Sequence, residues 1–144
     1  MIEFALVATV LLVIVFGIIY FGRFIGYTND ETHLAEIAAR YAAVDQLPTG
    51  CASTLAQCIQ QQAPGELQAG SGDVTKKAQV CISLLSGGTG QTGDTLQATV
   101  SASFHFLPIL SFLNSVIPNP VTESADMRVE VPIANSTGIL GCSS

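Results

Sequence analysis

The chain has 144 residues, of which 49% are hydrophobic and only 11% charged, so it carries one small domain plus a stretch far more apolar than a small core needs. Five Lys and Arg against eleven Asp and Glu leave a net charge of −6, with no basic stripe to displace counterions, which excludes nucleic acid as a partner. A polar surface built mostly of Ser, Thr, Gln and Gly, together with four cysteines, suits a domain outside the reducing cytoplasm.

The first element is FALVATVLLVIVFGIIYFG, from Phe4 to Gly22, which runs without a charge. As a helix it measures about 28 Å at ~1.5 Å rise per residue, a length that crosses a bilayer's hydrocarbon core. A secretory apolar region is shorter, about 7 to 15 residues, and ends in an Ala-x-Ala-like site. Here Phe21-Gly22-Arg23-Phe24 leads on into helix-compatible sequence, so the helix is expected to be retained as an anchor.

Glu3, at the edge of this stretch, has two readings. It is an interfacial flank residue, or it pairs with the free amino group of a neighbouring chain and fixes register in an apolar helix bundle. Gly17, Gly22 and Gly26 each weaken the helix by up to ~1 kcal/mol relative to Ala. Gly22-x-x-x-Gly26 marks a close helix–helix contact, a hinge, or neither, and the spacing leaves the three open.

Beyond it, Tyr27-Thr28-Asn29-Asp30-Glu31 reads as the cap of a new helix or an exposed turn of the old one. Leu34, Ile37, Ala38, Tyr41 and Val44 then recur at i, i+3, i+4 and i+7, with Glu36 and Arg40 as an i, i+4 pair off that stripe. No proline precedes Pro48, and Pro48-Thr49-Gly50 supplies a stop. One helix of about 40 residues is predicted, hydrophobic all round in its first half and amphipathic in its second.

These residues resemble the N-terminal helix of TadE-like pilins from tight-adherence (Tad/Flp) pilus systems. Glu3-Phe4-Ala5-Leu6-Val7 matches the run that opens the family's membrane helix, Phe21-Gly22-Arg23 the run that closes it, and Ala38-Ala39-Arg40-Tyr41-Ala42-Ala43 the Ala-rich stretch that follows. The resemblance implies a pilin or pseudopilin that lies in the bilayer before assembly and is extracted into a filament with other pilin subunits. It also implies a prepilin peptidase as partner where a leader precedes the helix. The chain as given starts without a basic leader, so the expectation is a processed chain or a fragment.

The head follows. Cys51 to Gln62 reads as a short helix with Ser53 as N-cap, ended by Pro64-Gly65. Gly70-Ser71-Gly72-Asp73 is a turn. Three stretches then alternate with period two, as half-buried strands do. Ala78, Val80, Ile82 and Leu84 share one face of the first. Leu96, Ala98, Val100, Ala102, Phe104 and Phe106 share one face of the second, with His105 opposite. Ala125, Met127, Val129 and Val131 face inward on the third.

Ser86 to Gly93 reads as a flexible hairpin loop; it lacks the Lys-Ser/Thr and the helix of a phosphate cradle. Leu107 to Val121 is unusually apolar for a connection. Either it covers one edge of the sheet, or Ile109, Leu110, Phe112, Leu113, Val116 and Ile117 form a partner- or membrane-facing patch.

The cysteine spacings fit no metal site, and disulfides are expected instead. Seven helical steps span ~10.5 Å, so Cys51 reaches Cys58 only from outside the helix. Cys81 falls on the polar phase of its strand, free to catch the tail at Cys142. In a chain-entropy account the two bridges contribute about 2.5 and about 4 kcal/mol. Scattered single carboxylates, and His33 and His105 without a nucleophile at motif spacing, give catalysis no footing; neither enzyme activity nor a cofactor is expected.

The expectation is therefore α+β and pilin-like, a long helix packed on a small antiparallel three-stranded sheet. Residues 1–25 form the transmembrane or filament-core helix, 26–46 its amphipathic continuation, and 47–144 an extracytoplasmic head. The expected role is a structural subunit, minor or major, of a Tad/type IV-like adhesive pilus, held in the cell membrane and later in an extracellular filament. The alternative is a non-polymerising single-pass envelope protein whose head is a binding module.

Overall fold

The computed structural model describes residues 2–68, 77–85, 87–103, 120–134 and 136–143. A single helix, α1, runs from Ile2 to Ala43, 42 residues without interruption. At ~1.5 Å per residue it is about 63 Å long. A short helix α2 (Leu55–Gln62) and one 3-10 turn (Gly65–Leu67) follow. Next come strands β1 (Gln79–Leu84), β2 (Thr95–Ala102) and β3 (Val121–Arg128), a one-turn helix α3 (Ser136–Ile139), and strand β4 (Gly141–Cys142). The fold is α+β, as the sequence pattern predicts.

The sheet order is β3-β2-β1-β4, antiparallel throughout. The register stacks the inward residues in rows: Leu84 beside Leu96 beside Met127, Ile82 beside Ala98 beside Ala125, and Val80 beside Val100 beside Glu123. Helix α1 lies over β2 and β3, while α2 covers the β1 side through Leu55, Ala56 and Ile59, all fully buried. Small side chains on both surfaces let the layers close: Ala35, Ala38, Ala39 and Ala42 of α1 and Ala98 of β2 are each 0% exposed. Leu34, Tyr27 and Leu96 fill the space around them.

Several expectations are corrected. The sheet has four strands, because the tail residues Gly141–Cys142 pair with β1. The buried face of α1 centres on Leu34, Ala35, Ala38, Ala39 and Ala42, and Ile37, Tyr41 and Val44 are only half-buried at its margin. Burial follows what fits closely against a sheet, so the alanines win over the bulkier residues. Helix α2 starts at Leu55 with Thr54 at its N-cap, not Ser53. Strand β3 starts at Val121, inside the stretch expected to be a connection, and Val131 is exposed.

The loop after β1 is pinned and not a free hairpin. The Asp94 carboxylate accepts from the Thr89 and Gln91 amides at 2.8 and 3.1 Å, and the Gly90 carbonyl accepts from the Ile133 amide at 2.8 Å. Phe104, His105, Phe106, the turn at residues 70–73 and the apolar stretch 107–119 lie outside the described residues.

Helix α1 stops before Pro48. Asp45 adopts φ 51°, the left-handed region that non-glycine residues seldom enter. Its amide donates to the Ala42 carbonyl at 3.3 Å and the Gln46 amide to the Tyr41 carbonyl at 3.1 Å, the paired bonds that close a helix C-terminus around a left-handed residue. The Asp45 carboxylate accepts from the Ala134 amide at 3.3 Å. Replacing Asp45 by a β-branched residue, Asp45→Val, is expected to cost about 1–3 kcal/mol through this backbone conformation. Asp45→Gly, which relaxes the backbone but removes the hydrogen bond from Ala134, should stay within ~1 kcal/mol of the parent. Thermal unfolding in detergent micelles, followed by circular dichroism, checks the order of the two; equal destabilisation would show that the conformation is not the cause.

Candidate functional site

The functional feature of this chain is a surface. From Phe4 to Ile25 the large apolar side chains of α1 stand open around the helix, except Phe24, which is partly buried against the core. Phe4 is 80% exposed, and Leu6, Val7, Val13, Ile18 and Phe21 each exceed 60%. Leu6, Val7, Val10, Leu11, Ile14 and Val15 line a wholly apolar groove between their ridges. Starting at Leu6, this helix is long and apolar enough to cross a membrane, and none of its apolar window is buried by the rest of the chain.

Two threonine hydroxyls in or next to this surface bond to the helix itself. The Thr9 hydroxyl donates to the Leu6 carbonyl at 2.9 Å, and the Thr28 hydroxyl to the Ile25 carbonyl at 2.9 Å. Such back-bonding hides a hydroxyl that would otherwise be stranded among apolar side chains. In a bilayer, apolar residues such as Leu, Ile, Phe and Val contribute roughly −0.3 to −0.6 kcal/mol each, so a lipid or apolar-helix environment would stabilise this half of α1.

Gly17, Gly22 and Gly26 lie within or just beyond this surface, and a Cβ added at any of them would meet nothing within 4 Å. No contact inside the chain requires glycine there. The backbone of Glu3 lies in the first turn of α1, and its side chain lies outside the described part. The apolar residues Ile109, Leu110, Phe112, Leu113, Val116 and Ile117 also lie outside the described residues.

Two disulfides brace the head at separate places. Cys51 joins Cys58 with a Cα–Cα distance of 5.9 Å, Cys51 lying ahead of α2. Cys81 joins Cys142 across the β1–β4 pair, where the two residues are direct register partners. Among the described residues no group of three or more His, Cys, Asp or Glu is placed to hold a metal ion.

Where the apolar half gives way to the head, sequence reasoning missed one residue. Glu31 is 1% exposed, on the face of α1 that packs against the sheet, and its Oε2 atom has no hydrogen-bond partner. Burial, and secondarily the carboxylate of Glu123 in the inward row of β3, push its pKa up to about 8. The signal was in the spacing: Tyr27, Glu31, Leu34, Ala35 and Ala38 share one face at i, i+4, i+7, i+8 and i+11. Reading Tyr27 to Glu31 as a cap or an exposed turn overlooked that phase.

A raised carboxyl pKa makes folding bind a proton. Below pH ~4.5 the group is neutral folded and unfolded, and burial carries no ionisation penalty. As pH rises towards 8 the unfolded chain gives up the proton and the folded one keeps it, so stability falls, by on the order of 4 kcal/mol in full. Unfolding in detergent micelles should therefore occur at a lower temperature at pH 8.5 than at pH 5. Glu31→Gln should flatten that dependence and stabilise the chain at the higher pH. A parent protein equally stable at both pH values would contradict the assignment.

No curated protein and no solved structure matches the chain. A family model described as TadE-like protein matches residues 1–43. The match starts at the first residue of the chain and ends where α1 ends, so it covers the exposed apolar surface and the buried alanine face together. That family is a pilus-associated structural one, linked to Tad pilus systems and their assembly components. Over helix α1 the chain is similar to TadE-like, pilin-related proteins.

Proposed function

We propose that the protein is a structural subunit, minor or major, of a Tad/type IV-like pilus, anchored by α1 and assembled into or priming an adhesive surface filament. The observation that supports this reading is the division of α1 into an uncovered apolar half and a half buried under the head. An uncovered helix of this kind can exchange one apolar environment for another, lipid for a bundle of like helices, with little change in solvation. The head, polar outside and braced by two disulfides, then faces the extracytoplasmic side and coats the filament.

In this reading Glu3 sets the register of neighbouring helices through an amino terminus. Gly17, Gly22 and Gly26, open on the helix surface, admit close helix–helix approach. The apolar residues from Ile109 to Ile117 are offered as a further partner-facing patch.

Electron microscopy of material sheared from the cell surface, with N-terminal sequencing of any filament, tests the proposal. A filament containing this chain is the expected result. Glu3→Ala should abolish or sharply reduce filaments while the chain still fractionates with the membrane. If the protein stays in the membrane fraction with no filament, and Glu3→Ala changes nothing, it is instead a single-pass envelope protein whose head acts as a binding module.

A further inference from the structure

The tail of the chain is held to the sheet more firmly than its length explains. Strand β4 has two residues, Gly141 and Cys142, opposite Ile82 and Cys81 of β1. Beyond it, the Ser143 amide donates to the Val80 carbonyl at 2.8 Å, as a third strand residue would. The return bond is unusual: the Val80 amide donates to the Ser143 hydroxyl oxygen at 2.9 Å, so a side chain stands where the next backbone carbonyl of a strand belongs. The Gln79 side-chain amide donates to the Ser143 carbonyl at 3.3 Å, and Ser143 is 1% exposed. Both main-chain groups of Val80 are thus satisfied by one residue, and the Cys81–Cys142 disulfide holds that residue in place.

Two paired residues and a serine do not by themselves keep a strand on a sheet edge, because so short a ladder frays readily. An edge left open presents unpaired N–H and C=O groups that template another strand. We infer that the outer edge of β1 is a strand-docking site which the chain's own tail fills and the Cys81–Cys142 disulfide keeps filled. When that bond opens, the site takes the Gly141-Cys142-Ser143 tail of a second copy. The second copy is the occupant the edge selects. Its tail brings the serine that satisfies Val80 and the thiol that meets Cys81 in the same register, so the hydrogen bonds broken within one chain re-form between two. The inference stands apart from the filament reading, since it uses no residue of the apolar half of α1.

Opening needs a dithiol reductant. Its thiolate attacks the disulfide, its two thiols become a disulfide, and Cys81 and Cys142 take up the two electrons and two protons as thiols. Closing between copies needs a small disulfide oxidant, which is reduced to two thiols as the new Cys81–Cys142 bond forms between chains.

Two full-length variants in detergent micelles test this, one Cys81→Ser and one Cys142→Ser. Each keeps one thiol of the pair, so an exchanged tail favours the bond between Cys142 of the first and Cys81 of the second over either like pairing. Mixed in equal amounts and oxidised with glutathione disulfide, they should give mainly the mixed dimer on non-reducing electrophoresis, with Cys81 joined to Cys142 in the peptide map. Its share should exceed the roughly half that random pairing of two thiols gives, and Ser143→Ala in the Cys81→Ser partner should lower it. A random distribution of the three dimers, or monomers capped by glutathione alone, would overturn the inference.

A second readout avoids the cysteine substitutions. In the unsubstituted chain the Val80 amide should exchange slowly with solvent, and dithiothreitol should speed that exchange at least tenfold. Unchanged exchange after reduction would show that the disulfide does not hold the tail, and would also overturn the inference.

Discussion

One unbroken ladder of backbone hydrogen bonds, from Ile2 to Ala43, joins two environments that share no chemistry. Its N-terminal half presents apolar side chains in all directions and needs lipid or other helices around it. Its C-terminal half presents a strip of alanines and needs a sheet. Because a helix satisfies its own main chain, the same backbone can pass from one setting to the other without exposing a polar group. The head is thus coupled rigidly to the anchor, with no proline and no left-handed residue before Asp45 to act as a joint.

The alanine strip also explains how the head is built. Small residues on α1 let the sheet approach closely, and much of the bulk of the core comes from the other elements: Leu55 and Ile59 of α2, Leu67 from the 3-10 turn, and Leu96 and Val100 of β2. Alanines bury little apolar area each, so the contact contributes close fit more than a large hydrophobic gain. Such a core has little room for a carboxylate. Glu31 stands in it nonetheless, and Glu123 faces it from β3. Burial and the Glu123 carboxylate together raise the Glu31 pKa, and the two residues lie where α1 meets β3.

Much of this was legible in the sequence where one local rule acted alone. The span of α1 followed from unbroken apolarity and the absence of proline, and the inward phases of β1 and β2 from strict alternation. The misreadings arose where two rules competed. Ile37 and Tyr41 outrank Ala35 and Ala39 in hydrophobicity, but closeness to the sheet decided which were buried. Val121 reads as the end of a connection, and Glu123 breaks the alternation that marks the third strand from Ala125 on, although the register with β2 pairs both residues with inward ones. The tail strand was invisible for a different reason: two residues carry no period, and only the thiol at Cys142 marked the place. Nothing in the spacing of Ser143 announced that its hydroxyl would complete the edge of the sheet.

The last carbonyl of α1 accepts from two amides, those of Glu130 at 2.9 Å and Val131 at 3.2 Å. Those partners emerge from the ribosome nearly ninety residues after Ala43. At about 5 to 20 residues per second, synthesis leaves the alanine strip without its sheet for on the order of ten seconds. During that interval the strip has no β3 to pack against. The buried face of α1 is therefore closed only once β3 has docked, so the docking of β3, more than the formation of the helix, sets when the core is complete.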